Sequence, residues 1–390
     1  MREELEFMAD RIESVLSIHQ IPARVTGGTV TPRWVRFQVL PAVGAKISKI
    51  KSLSEELAAA LDAPHCRVSR RGAAVAVEVP RDDPQPVRLL PLYHQLESIP
   101  PLTAVLGLAE DGSPLLIRLP SSDVGHIFVA GMEGAGKTML LQAITLSLAM
   151  ANSPLDTLGL VLINLRGHTF DAFKELPHLA RPVIRHQDEA TEALASLTSF
   201  MKGRHLAEDK QCPHIVVVID ELADLLKVKG QNVTLARLTH RGCEAGIHVI
   251  AATQKLTTTV FGPLVKANFP VRLVGRVDST SDARTAAGWS GTGAQRLQGR
   301  GDFVAVAEGR VIRFQAAYIS PQEIREALAQ TAQSLPSDRP IALPWPAKRL
   351  FSGDDDLEVE LELQASEALA LLQDDSPLGE LQRVLAWRGA

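Results

Sequence analysis

Residues 126–139 read HIFVAGMEGAGKTM, and this stretch restricts the possible fold more than any other part of the chain. A short apolar run, typical of a buried strand, meets a glycine-rich turn, and an apolar helical pattern follows the turn. The turn fits G-x-x-x-x-G-K-[ST], a pattern whose backbone N–H groups curl around a phosphate without interference from side chains. The helix that follows would point its positive N-terminal end at that phosphate.

Each residue of the turn has a role in this interpretation. The predicted phosphate cradle consists of Gly131, Met132, Glu133, Gly134, Ala135, Gly136, Lys137 and Thr138. Lys137 would reach the β- and γ-phosphates, and the Thr138 hydroxyl would hold Mg²⁺. Taken alone, the same letters also fit a strand–turn–helix with no ligand.

A second motif separates these alternatives. The segment HIVVVIDELADLL (214–226) is an apolar strand that ends in Asp220 and Glu221. At the carboxyl end of a parallel strand, Asp220 can coordinate Mg²⁺ through water, and Glu221 can act as general base toward an attacking water. A strand that merely ends in an acidic helix cap is common. Its combination with the preceding turn favours a site for ATP and Mg²⁺.

A third strand pattern, GIHVIAATQ (246–254), ends in Thr253 and Gln254. A polar amide at the tip of a strand beside the acidic pair can sense the γ-phosphate or orient water, so we predict that Gln254 is a catalytic residue together with Glu221 and Lys137. The alternative is a polar loop residue that ends the strand.

Apolar runs alternate with helical patterns from about residue 101 to 320, and this order predicts an α/β domain. Runs rich in Val and Ile with little alternation indicate parallel strands covered on both faces; they are HIFVA, LGLVLIN, HIVVVID, IHVIAAT and VRLVGRV. The sequence patterns of residues 1–95 predict a small α+β domain. In it, Val35, Phe37 and Val39 share one face of a strand, and ISKIKSLSEELAAALDA has a helical pattern. Residues 334–390 predict a linker and an acidic helical tail.

Composition excludes several classes of protein. The longest apolar runs are too short to cross a membrane, and the amphipathic N-terminus is unlike a signal peptide, so we expect a cytoplasmic chain. Three dispersed cysteines indicate neither a disulfide framework nor a zinc site. Residues 341–390 carry a net charge of −6 within a total of −4, so any DNA binding must come from a local basic surface.

Several segments in order resemble the motor of the FtsK/SpoIIIE family of DNA translocases. They are ELPHLARPVI, PHIVVVIDELADLL, RLTHRGCEAGIHVIAATQK, LVKANFPVRL, DARTAA and LQGRGDFVAV. The segment VRFQVLPAVGAKISKIKSLSEELAAAL is similar to the α-subdomain that precedes this motor. The resemblance covers about residues 1–318.

The resemblance implies a RecA-like motor that forms a homo-oligomer, a hexameric ring, and pulls double-stranded DNA through its lumen. In that family pattern Lys137 and Thr138 bind phosphates and Mg²⁺, Asp220 and Glu221 form the Walker B pair, and Gln254 is the sensor. Lys255 and Lys266 match basic positions in loops that face the DNA. Such lysines would contact backbone phosphates with little sequence preference.

The chain departs from the family pattern at several positions. Cys243 stands where the family has a basic residue that reaches a neighbour's nucleotide, and a thiol supplies no fixed cation. Other candidates for that cation are Arg237, Arg241, Arg272 and Arg284. The segment INLRG (163–167) replaces aspartate-proline-lysine, and ATQKL replaces a proline-containing loop. The end of the chain resembles the first part of the family's winged helix without its recognition helix, and the sequence contains no membrane span.

Three functions fit these patterns. The leading hypothesis is an ATPase that translocates double-stranded DNA largely independently of sequence. A nucleotide-gated DNA-binding module with weak or no hydrolysis is favoured by Cys243 and by the altered 163–167 segment, and opposed by the intact Lys137, Asp220 and Glu221. A secretion- or conjugation-type pump for protein or single-stranded DNA is opposed by the α-like first domain.

Overall fold

The computed structural model describes residues 2–31, 34–121, 123–154, 156–207, 213–256 and 268–333. The chain divides into two compact units, Met1–Val87 and the part that begins at Arg88. The sequence prediction of a linker and acidic tail over residues 334–390 lies outside the described residues.

The first unit combines helices with an antiparallel sheet. Its elements are α1 (Arg2–Ile18), β1 (Ala23–Val30), β2 (Trp34–Pro41), α2 (Ile47–Ser52), α3 (Ser54–Ala60), β3 (Arg67–Arg71) and β4 (Ala74–Pro80). The strand order is β1-β2-β4-β3, with every neighbouring pair antiparallel. Helix α1 packs on this unit's core through Ile12 and Leu16, which lie one turn apart on one helix face and are fully buried.

Strand β2 has the predicted alternation, because Phe37 and Val39 are buried and Val35 packs against the same core. The helical pattern after it is divided into α2 and α3 at Leu53, whose φ of −87° and ψ of 21° are not helical. Ser52 donates a hydrogen bond to the Lys49 carbonyl there. Serine side chains compete for backbone groups in this way and favour helix ends over helix interiors.

The second unit is a three-layer α/β domain. Its strands are β5 (Thr103–Ala109), β6 (Pro114–Arg118), β7 (Ile127–Ala130), β8 (Leu158–Asn164), β9 (His214–Asp220), β10 (Ile247–Thr253), β11 (Val271–Val274), β12 (Asp302–Ala307) and β13 (Arg310–Ala316). Its helices are α4 (Leu89–His94), α5 (Lys137–Met150), α6 (Gln187–Ala207), α7 (Leu222–Leu225), α8 (Gln231–Arg241), α9 (Thr280–Ala287) and α10 (Pro321–Gln333).

The described strands of this unit form one sheet in the order β6-β5-β13-β12-β11-β7-β10-β9-β8. The five apolar runs identified in the sequence are β7 to β11, and they pair in parallel. The predicted α/β fold with a mostly parallel central sheet is confirmed. The remaining four strands extend one side of the sheet with antiparallel pairs that the sequence patterns did not predict.

The parallel strands end level with one another. Ala130 of β7 is in register with Thr253 of β10 on one side and with Val274 of β11 on the other. Asp220 of β9 is in register with Asn164 of β8. Ligands of open α/β sheets bind at such carboxyl ends, so the loops after β7, β8, β9 and β10 define where a site can form.

Helix α5 follows β7 and is apolar around most of its circumference. Every residue from Leu140 to Ala149 is buried, as expected for a helix enclosed by a sheet and other elements. Over the described ranges, no helix combines the length and the apolar character that a bilayer crossing requires.

Candidate active site

The turn between β7 and α5 has the backbone conformation of a phosphate cradle. Gly134 and Gly136 have φ values of 75° and 103°, in a region that side chains with a Cβ rarely adopt. The Lys137 ammonium donates hydrogen bonds to the carbonyls of Gly131 (2.8 Å) and Met132 (3.0 Å), so it lies across the mouth of the turn. The residues predicted to bind phosphate are therefore together in one loop.

A segment distant in sequence, residues 298–302, packs against this loop. The backbone N–H groups of Arg300 and Gly301 donate to the carbonyls of Gly134 (2.9 Å) and Ala135 (2.8 Å). Gly299, Arg300 and Gly301 all have positive φ, between 51° and 88°. The sequence pattern LQGRGDFVAV carries the family resemblance but does not predict this contact. The two glycines around Arg300 were the available signal.

The acidic pair lies at the end of β9. Asp220 Oδ2 accepts a 2.5 Å hydrogen bond from the Thr169 hydroxyl. Glu221 adopts φ 62° and ψ 71°, which is unusual for a residue with a side chain and costs about 1–3 kcal/mol. Two contacts hold it: Oε1 accepts from the Thr253 hydroxyl at 2.6 Å, and Oε2 accepts from the backbone N–H of Gln254 at 3.2 Å.

Lys137, the predicted phosphate-binding lysine, and the acidic pair share one electrostatic environment. Burial lowers the pKa of Lys137, while the negative charges of Glu221, Asp220 and Glu133 act in the opposite direction. These carboxylates are therefore close enough to stabilise the lysine's charge. A site that places a cation and an acidic pair together can bind phosphate on one side and a metal ion or water on the other.

The strand tip after β10 is where the predicted sensor and the first predicted DNA-binding lysine lie. Gln254 contacts Glu221 through its backbone, and its side chain is exposed. Lys255 is also exposed, and its backbone N–H donates to the Thr253 hydroxyl oxygen at 3.1 Å. Thr253 itself is fully buried and connects Glu221 with Lys255. The second predicted lysine, Lys266, lies outside the described residues.

Cys243 is at the opposite, amino edge of the sheet, in a short 3₁₀ turn before β10. His126 Nδ1 accepts from the Val249 N–H, so the neutral ring carries its proton on Nε2 and donates it to the Cys243 sulfur at 3.1 Å. Cys243 is exposed as a residue, but partial burial of its thiol, with the charge of Glu244, raises the pKa of that thiol to about 11. The position therefore carries no charge at neutral pH.

The arginines named as alternatives to Cys243 differ in accessibility. Arg272 is only 8% exposed and cannot reach another subunit without rearrangement of β11. Arg241, the last residue of α8, and Arg284 on α9 are exposed, and Arg237 is half-buried. The helix ends at Arg241, so Cys243 and Arg241 do not belong to one continuous helix.

The altered segment after β8 retains polar contacts to the acidic edge. Asn164 is 3% exposed, and its Oδ1 accepts from the backbone N–H of Arg166. The Arg166 guanidinium lies 3.3 Å from the buried carboxylate of Asp224. The same carboxylate also pairs with the Lys227 ammonium at 2.5 Å. These contacts anchor the segment to α7, directly after the acidic pair.

The residues present fit ATP and Mg²⁺. Gly134 and Gly136 have positive φ and no side chains, so the loop offers backbone N–H groups to a phosphate, and the 2.6 Å approach of the Gly301 nitrogen to an added Cβ at Gly136 shows that residues 299–301 hold the loop in place. The donors offered to a metal are the Thr138 hydroxyl and the Asp220 carboxylate, the hard oxygen ligands that Mg²⁺ prefers. Within the described residues, the buried Asn164 Nδ2 has no hydrogen-bond partner. Asn164 is in register with Asp220, so the water shell of an ion bound at Asp220 would offer oxygens that can accept from this N–H group.

Known proteins match the chain over both units. Residues 1–81 match the model of the FtsK alpha domain, and residues 95–207 match that of the FtsK/SpoIIIE family. The DNA translocase FtsK of Staphylococcus epidermidis is 31% identical over 363 residues, covering 84% of this chain and 44% of the relative. That of Bacillus cereus is 31% identical over 355 residues, covering 82% and 44%. The chain thus spans less than half the length of these relatives.

Solved structures show the same fold at lower identity. The pCW3 conjugation coupling protein TcpA, in a monomer form with ATPγS, superposes with a TM-score of 0.57 at 17% identity over 83% of this chain and 99% of that one. The cytoplasmic domain of the type VII secretion ATPase EccC from Thermomonospora curvata gives 0.56 at 22% identity, over 68% and 36%. The fold of the second unit is therefore that of P-loop ATPases.

Proposed function

The chain belongs to the FtsK/SpoIIIE family, and on this premise we propose that it hydrolyses ATP to translocate double-stranded DNA through a ring of identical subunits. The observation that carries the proposal is the proximity of Lys137, which follows β7, to Asp220 and Glu221 at the end of β9, the two strands that flank β10. The pKa effects on Lys137 require this proximity. The names of the relatives, each a DNA translocase FtsK, support DNA as the substrate that is moved.

The cradle residues have separate tasks in this proposal. The backbone of residues 131–136 and the Lys137 ammonium bind the phosphates of ATP, with the lysine exchanging its bonds to Gly131 and Met132 for phosphate oxygens. Thr138 and Asp220 would hold Mg²⁺, which neutralises charge on the β- and γ-phosphates. Because these groups are fixed by the loop and by β9, little reorganisation is needed on binding.

Glu221 is the proposed general base. A carboxylate must be within reach of the attacking water and oriented toward it, and both of its oxygens here are fixed by Thr253 and Gln254. Glu221 takes a proton from water while the γ-phosphoryl group is transferred. Gln254, whose backbone already contacts Glu221, is the proposed sensor of that phosphate.

The same strand tip offers a route from hydrolysis to DNA. Thr253 contacts Glu221 through its hydroxyl proton and Lys255 through its hydroxyl oxygen, so a shift at the glutamate displaces the backbone at Lys255. We place Lys255 and Lys266 on the surface that holds DNA phosphates. The ring places these lysines of successive subunits around the duplex, where they contact its backbone without reading bases.

Hydrolysis measured with and without long double-stranded DNA tests the proposal. We expect turnover that DNA stimulates and that Glu221→Gln abolishes, while Glu221→Gln still binds ATP. Binding of ATP and DNA without DNA-dependent turnover favours the nucleotide-gated module instead, which Cys243 at the family's basic position supports. Stimulation by single-stranded DNA alone contradicts a duplex substrate.

A salt titration of DNA binding tests the lysine surface. Lys255→Ala is expected to weaken binding equally on unrelated sequences and to lower the slope of log K against log salt by about 1 for each subunit that contacts DNA. Lys49→Ala, which removes an exposed lysine of the first unit, serves as the matched control. An unchanged slope for Lys255→Ala removes this residue from the DNA surface.

A further inference from the structure

Thr169 lies between the phosphate-binding helix and the acidic pair. Its hydroxyl donates to Asp220 Oδ2 at 2.5 Å, and its backbone carbonyl accepts a 2.6 Å hydrogen bond from the Gln142 side chain of α5. Gln142 lies one helical turn beyond Thr138. Thr169 and Gln142 are 7% and 4% exposed, so the bond between them is shielded from water, whereas the bond to Asp220 is partly buried.

The direction of the hydrogen bond fixes what Thr169 does. An ionised carboxylate only accepts, so the hydroxyl proton of Thr169 points at Asp220. This bond occupies Oδ2 and leaves Oδ1 of Asp220 with no protein hydrogen bond within the described residues. Oδ1 is then the oxygen that remains for a metal ion or its water shell.

We infer that Thr169 is a positioning residue, which orients the Asp220 carboxylate toward Mg²⁺ and ties it through Gln142 to the helix that begins with Lys137 and Thr138. Thr138 and Asp220, the two oxygen donors to the ion, are thereby joined by buried side chains as well as by the sheet. The inference rests on the proposed function, since it assigns a role within the same ATP site.

Outer contacts of this kind have a measurable effect. Partners that orient a metal-binding carboxylate typically change metal affinity by 10–100-fold when they are removed. Thr169→Val keeps the shape of the side chain and removes the hydroxyl, while Thr169→Ser keeps the hydroxyl. We expect Thr169→Val to raise the Mg²⁺ concentration required for tight ATP binding by about 10–100-fold, and Thr169→Ser to restore it to near the wild-type value.

The experiment titrates Mg²⁺ into the full chain with a fluorescent ATP analogue and measures binding, with the metal-free affinity in EDTA as reference. A role in positioning Asp220 predicts that Thr169→Val binds the analogue normally in EDTA and loses only the gain that Mg²⁺ provides. Equal Mg²⁺ dependence in wild type and Thr169→Val overturns the inference. Equal impairment of Thr169→Ser and Thr169→Val also overturns it, because the hydroxyl is then not the cause.

A second variant covers the case in which Thr169→Val does not fold. Gln142→Met removes the amide that holds the Thr169 carbonyl and leaves the threonine in place, so a smaller shift in the same direction is expected, and no shift contradicts the inference. The experiments distinguish failure of the proposed translocase function from failure of the inferred role of Thr169. A wild-type chain that shows this Mg²⁺ dependence of ATP binding but no DNA-dependent turnover refutes the translocase and leaves the role of Thr169 intact.

Discussion

Gly136 should tolerate substitution far less well than Gly134, although both are cradle glycines with positive φ. An added Cβ at Gly136 would lie 2.6 Å from the nitrogen and 3.0 Å from the Cα of Gly301, whereas nothing lies within 4 Å of the same atom at Gly134. Gly301 has little freedom to move away. Its N–H donates to the Ala135 carbonyl, and its own carbonyl accepts from the Ala316 N–H.

The magnitudes follow from these contacts. Alanine at Gly134, with φ 75°, carries mainly the cost of the left-handed conformation, about 1–2 kcal/mol. Alanine at Gly136, with φ 103°, lies outside the left-handed well and costs about 1–3 kcal/mol in backbone strain. The clash with Gly301 adds about 1–3 kcal/mol of overpacking. Gly136→Ala should therefore destabilise the second unit by about 2–6 kcal/mol.

The assay is unfolding in denaturant, monitored by hydrogen exchange in peptides from α5. Because α5 belongs to the second unit, these peptides report on the stability of that unit alone. Gly134→Ala is the matched control, because it adds the same methyl group to the same loop. Equal destabilisation by the two substitutions would refute the reasoning. It would mean that residues 299–301 are not packed on the phosphate loop as the structure places them.

Three further predictions concern other parts of the second unit. Burial lowers the pKa of His126 to about 3 and that of His248 to about 4, below the unfolded value of about 6.5, so stability present above pH 6.5 is lost as the pH falls toward 4. Each histidine should contribute about 2 kcal/mol to the fall in the free energy of unfolding between pH 7 and pH 5. If His126→Asn shows the same pH dependence of urea unfolding as the wild type, this expectation is contradicted. Thr253→Val should lower kcat by about 10–100-fold through loss of a bond to the Glu221 carboxylate, with Thr253→Ser close to wild type in steady-state hydrolysis. With Cys66 and Cys212 replaced by serine, Cys243 should be alkylated at pH 8 about 100-fold more slowly than an ordinary thiol, because the raised pKa leaves less thiolate. A rate like that of a free peptide contradicts the raised pKa.

The sequence predicted those features of the fold that arise from local composition. The runs of Val and Ile in β7 to β11 are unalternated because both faces of these strands are covered, and this pattern identified the parallel sheet. Strands β12 and β13 were not predicted, because both form antiparallel pairs outside the parallel runs of Val and Ile. Their link, Glu308 and Gly309 with φ 48° and 71°, has the geometry of a two-residue hairpin turn.

The members of the candidate site could be proposed from the sequence, but the contacts that connect them could not. Lys137, Asp220 and Glu221 follow motifs whose spacing reflects strand ends, so they could be identified one strand at a time. Thr169 reaches Asp220 across 51 residues of sequence, and the 299–301 segment meets the phosphate loop across a still longer separation. Such contacts depend on tertiary packing, which no local pattern encodes. The left-handed conformation of Glu221 is of the same kind, since it depends on its bonds to Thr253 and Gln254.

The most direct test of the account is displacement of a labelled third strand from a DNA triplex placed at a distance from the loading region of a linear duplex. A motor that moves along double-stranded DNA removes the third strand when it arrives. The account predicts release that requires ATP and that Glu221→Gln abolishes. A wild-type chain that binds the duplex and hydrolyses ATP, yet leaves the third strand in place, would contradict translocation.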